Sequence, residues 1–144
     1  MGFGFASKNN NNFDFKEISN GLGITPKIAR KKEEFPPPSI KAGVAKPYWH
    51  FELREQNREV SIVFGKVKNI LNDKVNIIND LCDKLNLETY FTITIHSKNS
   101  FFPVMKFPKS IISFASSINA DVVFDLYDYS ESDYDLLEKN NHVD

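Results

Sequence analysis

The sequence is poor in several residue classes, and each shortage excludes a class of protein. It has one cysteine, Cys82, so no disulfide can form within the chain, and a lone thiol suits a reducing compartment. It has no run of about 18 apolar residues, which argues against a membrane-spanning helix. No basic leader precedes an apolar run at the N-terminus, so we expect no signal peptide. Together these absences predict a soluble cytoplasmic protein.

Charge of one sign is also lacking. The chain carries 18 Lys and Arg against 19 Asp and Glu, a formal net charge of −1 at pH 7. This balance excludes a globally basic protein that binds polyanions, so we expect neither nucleic acid nor a membrane as a partner. The three histidines, His50, His96 and His142, show no metal-ligand spacing, and Cys82 has no neighbouring cysteine. The sequence therefore predicts no metal site and no cofactor.

Apolar and aromatic residues, by contrast, suffice for one core. Of the 144 residues 41% are apolar, and 13 are Phe, so a single domain is expected. Alternating patterns predict five strands, over 2–7, 48–53, 89–96, 101–107 and 121–129. The strands over 89–96 and 101–107 are expected to pair as a hairpin. Helical spacing predicts helices over 15–22, 60–87 and 108–118, and the run 60–87 is either one long helix or, as we favour, two helices with a break near Asn72. This order predicts an α+β fold: one domain, with an approximately five-stranded, mostly antiparallel sheet and helices packed mainly on one face.

The least regular part of the chain, residues 25–47, predicts a long loop. Three consecutive prolines, Pro36 to Pro38, favour polyproline II. A basic cluster in this loop has the charge to touch phosphates, but Glu33 and Glu34 dilute it and a solvated loop explains it better; its members are Lys27, Arg30, Lys31 and Lys32. Stacking on Trp49 beside this cluster gives one functional alternative, a small-ligand or nucleotide-binding domain.

The last predicted strand has two different faces. Val122, Phe124 and Leu126 fall on one face, which we expect to lie on the core. The other face is acidic and aromatic and consists of Val123, Asp125, Tyr127 and Tyr129. Whether Asp125 is structural or functional stays open. After Tyr129 the composition becomes acidic and loses its periodicity, so we divide the chain into a domain over 1–129 and an acidic tail over 130–144 with at most a helical turn.

No catalytic constellation stands out in the sequence. Cys82 shares an apolar helical stripe with Ile78 and Leu85, which favours core packing over a nucleophile. An enzyme that uses Asp125 with His50 or His96 is the weakest alternative, because it needs these side chains within hydrogen-bond reach. We therefore predict that the protein is not an enzyme.

Three groups of residues resemble a known family, the bacterial domain-of-unknown-function 4279 family. The first group is Phe13-Asp14, Glu17-Ile18-Ser19 and Leu22-Gly23-Ile24 with Pro26. The second is the lone Trp49, which opens a strand after a variable loop. The third is Ile111, Ile112 and Ala115, then Asn119-Ala120-Asp121 and Phe124-Asp125-Leu126-Tyr127.

The resemblance spans about residues 1–128. The sequence departs from the family pattern at Lys31-Lys32-Glu33, where a Gly-acid turn is more usual, in its short first strand and in its acidic tail. The resemblance implies a small cytosolic α+β domain and brings no activity or catalytic residues with it.

These observations favour a non-enzymatic protein-binding module, immunity- or inhibitor-like, from a bacterium or phage. An acidic–aromatic surface suits a basic protein partner and fast association. The residues expected at the contact are Asp125, Tyr127, Tyr129, Trp49 and His50. An exposed edge strand over 101–107 could pair with its symmetry mate, so the protein is expected to be a monomer or a homodimer.

Overall fold

A computed structural model describes residues 1–55 and 59–141. Its centre is one sheet of five strands in the order β2-β3-β1-β4-β5. The strands are β1 Gly2–Ser7, β2 Ile28–Arg30, β3 Tyr48–Glu52, β4 Leu87–Lys98 and β5 Ala120–Tyr129. All neighbouring pairs are antiparallel except β4 and β5, which are parallel. The predicted fold class, a single α+β domain with a mostly antiparallel five-stranded sheet, is confirmed.

Six helices accompany the sheet. They are α1 Phe15–Leu22, α2 Pro37–Lys41, α3 Val60–Leu71, α4 Val75–Leu85, α5 Lys109–Ser117 and α6 Glu131–Asn141. The predicted break near Asn72 is confirmed, because a short 3-10 turn over Asn72–Lys74 separates α3 from α4. No helix among the described residues is long and apolar enough to cross a membrane.

The core lies between one face of the sheet and four helices, α1, α3, α4 and α5. The largest fully buried side chains include Trp49, Phe3, Phe5, Phe64 and Phe91. Their rings contact one another, with centroids 4.6 Å apart for Phe64 and Phe91 and 5.2 Å apart for Phe3 and Phe91. Burial of several such rings is a main favourable term in the folding of a chain of this size. We call this side of the sheet the helix face and the opposite side the outer face.

Helix α1 begins and ends where its sequence predicts. The side chain of Asp14 accepts a hydrogen bond from the backbone N–H of Lys16 at 2.9 Å, which satisfies one free donor of the first turn. Gly23 ends the helix in the left-handed conformation, at φ 66°, and its N–H donates to the Ser19 carbonyl oxygen. The buried Ile18 and Leu22 then face the core.

The segment 25–47 is more regular than the predicted long loop. Lys27 donates its backbone N–H to the His50 carbonyl oxygen. Strand β2 follows as the outermost strand on that side of the sheet, antiparallel to β3. Pro37 and Pro38 begin α2 instead of forming polyproline II. Proline is favoured in the first helical turn, where its missing N–H has no intrahelical partner to lose, so the polyproline reading was wrong.

The predicted hairpin of 89–96 with 101–107 is also wrong. In the described part of the chain, residues 99–107 contribute only isolated bridges, at Phe101 and Val104, and β4 pairs instead with β5. The parallel pair is joined by α5, which makes β4-α5-β5 a crossover unit. Pro103 is compatible with this loop, because it can donate no ladder hydrogen bond.

Strand β5 therefore forms an edge of the sheet, and its burial differs from the expectation. Val122, Phe124 and Leu126 do point to the helix face, but their exposed fractions are 36%, 39% and 52%. The core-side prediction was wrong about burial, because α5 contacts β5 but a cleft between the two elements leaves these side chains partly exposed. The sequence pattern defines the two faces of a strand but carries no information on how far the covering layer reaches.

The segment after Tyr129 forms α6, not a tail with at most one helical turn. Its start resembles an N-cap, because the Ser130 hydroxyl oxygen accepts from the backbone N–H of Asp133 at 3.4 Å. The helix contacts β4 and β5, and the Lys98 ammonium lies 3.6 Å from the Asp135 carboxylate. The last residues of the predicted tail, 142–144 with His142, lie outside the described residues.

Candidate functional site

The outer face of the sheet is shaped by the glycines of β1. Gly2 and Gly4 point outward between β3 and β4, opposite Glu52 and His50 on one side and Thr92 and Tyr90 on the other. A Cβ built on Gly4 would lie 2.4 Å from the Tyr90 hydroxyl oxygen, and one on Gly2 would lie 2.3 Å from the His50 ring. The two aromatic rings therefore occupy the space that side chains on β1 would need.

His50 and Tyr90 form a first pair of stacked rings over β1. Their centroids are 5.8 Å apart with an interplanar angle of 14°, and the Tyr90 hydroxyl lies 3.3 Å from His50 Nδ1. Burial raises the pKa of Tyr90 to about 12. Burial also lowers the pKa of His50 below its ordinary value, and the positive charges of Lys27 and the N-terminus add to this effect while Glu52 opposes it. Both side chains are thus held neutral at physiological pH.

The lowered pKa of His50 predicts a pH dependence of stability. Below pH 6.5 the unfolded chain takes up a proton on His50 more readily than the folded protein, so the free energy of unfolding falls as the pH drops through this range. His50→Gln removes that contribution. We expect the loss of stability between pH 7.5 and pH 5.5, measured by urea denaturation, to be smaller in this variant than in the natural protein. The matched control is His96→Gln at an exposed ring; if it flattened the profile equally, His50 would not be the group responsible.

A second group of rings lies at the exposed end of the outer face. His96 on β4 and Tyr127 on β5 are direct partners in the parallel ladder, and Tyr129 follows two residues later. The His96 centroid is 5.4 Å from that of Tyr127 and 5.6 Å from that of Tyr129, with interplanar angles of 17° and 23°. His96 and Tyr127 are exposed, and Tyr129 is half-buried. Flat aromatic surfaces held side by side in this way are favourable contacts for planar groups of a partner.

Two carboxylates share this face: Asp125, two residues before Tyr127, and Asp121, six residues before it. Asp125 is exposed beside Thr94, and Asp121 is exposed beside Tyr90. We call the set His96, Asp121, Asp125, Tyr127 and Tyr129 the acidic–aromatic surface. The third acid of the strand, Asp128, has a local role instead. Its carboxylate accepts hydrogen bonds from the backbone N–H and hydroxyl of Ser100, both at 2.8 Å, which lowers its pKa.

The structure separates the residues that were predicted to form one contact surface. Asp125, Tyr127 and Tyr129 lie together, whereas His50 lies three strands away on β3, about 14 Å across the sheet at the usual strand spacing. His50 and Asp125 therefore cannot act as an acid–base pair. Asp125 and His96 are diagonal neighbours on adjacent strands and share the acidic–aromatic surface.

Trp49 is a clear correction, because it is completely buried and cannot contact a partner. Its indole Nε1–H donates to the Ser19 hydroxyl oxygen at 3.0 Å, and its ring contacts Phe5 edge to face. A lone tryptophan that opens a strand is as typical of a core as of a binding surface, and alternation along β3 turns Trp49 to the helix face while His50 points to the outer face.

The basic cluster of the alternative ligand site is engaged locally. Lys27 forms an ion pair with Glu52, and the Arg30 guanidinium lies 5.2 Å from the centroid of the Phe35 ring. Lys31 and Lys32 begin a 3-10 turn, in which the Lys32 backbone N–H donates to Asn12. Trp49 is buried away from these four cations, whereas Tyr48 of β3 is half-buried, pairs with Arg30 across the strands and contacts the Phe35 ring edge to face.

Cys82 is half-buried against the core, as its helical position predicts. Burial raises the pKa of its thiol to about 11, so it is protonated at neutral pH and is a poor nucleophile. Within residues 1–55 and 59–141, no group of three or more His, Cys, Asp or Glu side chains could hold a metal ion.

Sequence reasoning missed an apolar cleft on the helix face beside β5. Its volume is about 630 Å³, and it lies between α5 and the strand. The lining is mainly apolar and includes Phe64, Phe107, Ile111, Ile112, Val122 and Phe124. The strand–helix–strand order of β4, α5 and β5 was the available signal, because it indicates parallel pairing and therefore places β5 beyond β4.

A family model described as Domain of unknown function (DUF4279) matches residues 3–129, which include helices α1 to α5 and all of the sheet except Gly2 at the start of β1. No curated protein and no solved structure matches the chain.

Proposed function

The chain belongs to the DUF4279 family, whose description assigns no function, and we propose that it is a non-enzymatic protein-binding module. The proposed contact is the acidic–aromatic surface, and the proposed partner is a protein with a basic patch. One observation carries the proposal: three nearly parallel rings, two of them exposed, are held beside exposed carboxylates on a rigid pair of strands.

The chemistry of this surface favours arginine-rich partners. A guanidinium group stacks on a Tyr ring through its face and binds a carboxylate through its edge, and Tyr127 with Asp125 offers both contacts on neighbouring outward positions of β5. Tyrosine is among the residues that contribute most to binding at protein interfaces. Because both groups are on a strand and not on a loop, little conformational entropy is lost on binding.

The charge around the surface supports rapid association with a basic partner. Helix α6, which contacts β4 and β5, adds the exposed carboxylates of Asp133, Asp135 and Glu138 to those of Asp121 and Asp125. Acidic fields of this kind accelerate encounter with a positive surface and weaken as salt is added. An inhibitor- or immunity-like protein that covers a basic site on its target fits this arrangement.

The test is capture of partner proteins from lysate by the immobilised full chain at low and high salt. We expect a captured protein that is released as salt rises. Tyr127→Ala and Asp125→Lys should each weaken its capture about tenfold or more. Asp80→Lys, at an exposed position of α4, makes the same charge reversal away from the surface and should bind normally.

Two results would contradict the proposal. One is the absence of any salt-sensitive captured protein. The other is a captured protein that Asp125→Lys and Asp80→Lys bind equally well, since the surface would then contribute nothing specific.

A further inference from the structure

Strand β5 leaves an unusually open edge on the sheet. It is ten residues long, pairs with β4 on one side, and meets no further strand on the other side in the described part of the chain. Proteins usually protect such edges with short strands, proline or lysine. The opposite edge follows this rule, because β2 has only three residues and includes Arg30. Strand β5 has no Pro, Gly, Lys or Arg between Ala120 and Tyr129.

The edge is also surrounded by exposed apolar side chains. Leu126, Phe124 and Val122 are exposed on its helix face. Further exposed apolar residues follow in the loop before α5 and on α5 itself: Phe101, Phe102, Val104, Met105 and Ile112. In total these side chains expose an area on the order of 1,000 Å², and of them Ile112, Val122 and Phe124 line one cleft. A stable protein interface covers about 800 Å² on each partner, so this area is large enough for one.

We infer that a second copy of this chain covers the edge, with the two β5 strands paired antiparallel about a two-fold axis at Phe124. The sequence of β5 selects this register. Residues directly opposite each other must point to the same face, so the axis has to pass through a residue. An axis at Asp125 or Val123 would place aspartates directly opposite each other, Asp125 on Asp125 or Asp121 on Asp125.

The axis at Phe124 avoids both pairings and matches the apolar residues. Phe124 then faces Phe124 of the second copy, and Val122 faces Leu126 of the second copy. On the outer face Asp121 faces Tyr127, and Val123 faces Asp125. Every residue that opposes an aspartate is therefore uncharged.

The apolar cleft beside α5 fits this arrangement. Val122 and Phe124 line the cleft. The register places Leu126 of the second copy directly beside Val122, on the helix face. Leu126 is more exposed than Val122 or Phe124, and its isobutyl group can enter the partner's cleft. The two copies then form one continuous sheet with their helices on the same side.

This inference does not rest on the proposed function, because the dimer is held by the backbone edge of β5 and by the helix face, and residues of the acidic–aromatic surface only become cross-strand neighbours in it. It also predicts the opposite response to salt. In the dimer the two Asp125 carboxylates are diagonal neighbours, about 8 Å apart, so they repel each other weakly. Added salt screens this repulsion and should strengthen the dimer, whereas salt should weaken binding to a basic partner.

The first test is sedimentation of the full chain from about 1 to about 100 µM, where a dimer should form with increasing concentration. Leu126→Glu and Val122→Lys should each raise the dimer dissociation constant about a hundredfold, because a two-fold interface carries each change twice. The double variant should recover much of the dimer, since each introduced lysine faces an introduced glutamate of the other copy. Val44→Glu, at a position that is 67% exposed elsewhere, is the matched control and should not change the dissociation constant.

The second test is disulfide cross-linking through an introduced cysteine. The natural cysteine, Cys82, is half-buried and reacts poorly, so it should not interfere. Phe124→Cys places two thiols opposite each other at the axis, with Cα atoms about 5 Å apart, which suits a disulfide. Mild oxidation should therefore cross-link this variant almost completely. Leu126→Cys is the matched control, because the two copies of residue 126 lie about 13 Å apart along the strands and should cross-link poorly.

The outcomes separate the two proposals. A monomer at every concentration with no cross-link at Phe124→Cys would overturn the dimer, and so would a dimer that Leu126→Glu leaves intact. Neither result affects capture of a basic protein through Tyr127 and Asp125. Conversely, failure of that capture leaves the sedimentation and cross-linking results unchanged, so each proposal can fail alone.

Discussion

Gly4→Ala is expected to lower the free energy of unfolding by about 3 kcal/mol, because β1 has no room for a methyl group at this position. The new Cβ would lie 2.4 Å from the Tyr90 hydroxyl oxygen and 2.8 Å from the Trp49 carbonyl oxygen. Tyr90 can rotate away, but the carbonyl belongs to the backbone of β3. Relief therefore requires a change in the spacing of two central strands. Thermal unfolding followed by circular dichroism should show a Tm decrease of about 10 °C.

Two further glycines provide the controls for this prediction. Gly65, inside α3, has no atom within 4 Å of an added Cβ, so Gly65→Ala should stabilise the protein by about 1 kcal/mol through helix propensity alone. At Gly2 the close contacts are with the His50 side chain, and the nearest backbone atom is 3.0 Å away. Gly2→Ala should therefore be milder than Gly4→Ala, and shortening His50 should partly rescue it. Equal stability of the Gly4→Ala and Gly65→Ala variants would contradict the close packing of Tyr90 on β1.

The success of sequence reasoning on this fold depended on local signals. The alternation of β1, β3 and β4 and the spacing along α3 and α4 report which side chains face the core, and burial of those side chains dominates folding. Asp14 and Gly23 mark the ends of α1 because each satisfies a backbone group within a few residues. Such signals need no information about distant parts of the chain.

The errors arose where the answer depends on non-local arrangement. β2 is three residues long, and its pairing with β3 is not encoded by any periodicity in Ile28–Arg30. The position of β5 at an edge follows from the crossover through α5, and its exposure follows from how far the helices extend. Trp49 and Val122 show the two directions of error: an aromatic residue expected to contact a partner is buried, and an apolar residue expected in the core is exposed.

For the candidate site, the sequence grouped the outward residues of β5 but not the residue of β4 that lies beside them. Asp125, Tyr127 and Tyr129 lie together because alternate residues of a strand share a face. His96 joins them only because β4 pairs with β5 in parallel, in the register that sets it beside Tyr127. The same register places Leu126 beside Ile95 on the helix face, where Ile95 is buried and Leu126 is exposed. One strand thus presents the acidic–aromatic surface on one face and exposed apolar side chains on the other.

Trp49→Ala is expected to lower the free energy of unfolding by about 4 kcal/mol, because it removes the largest buried side chain of the core and leaves a cavity. The indole also links β3 to α1: Nε1–H donates to the Ser19 hydroxyl oxygen, and the Ser19 hydroxyl donates to the Phe15 carbonyl oxygen at 3.1 Å. Ser19→Ala should cost about 1 to 2 kcal/mol, since it leaves the buried indole N–H without this acceptor. Trp49→Phe keeps a ring but loses the donor, so its cost should fall between the two.

Urea denaturation followed by circular dichroism is the appropriate measurement, because Trp49 is the only tryptophan and its fluorescence disappears with it. In the natural protein the same residue reports on its own environment: its emission should be blue-shifted when folded and shift to the red in the unfolding transition. A core role and a binding role predict opposite results for Trp49→Ala. If Trp49 is a core residue, its replacement by Ala lowers the stability of the protein and weakens partner capture only because part of the protein unfolds. If Trp49 is a binding residue, its replacement by Ala leaves the unfolding transition unchanged and abolishes capture. That result would contradict the burial of Trp49 in the core.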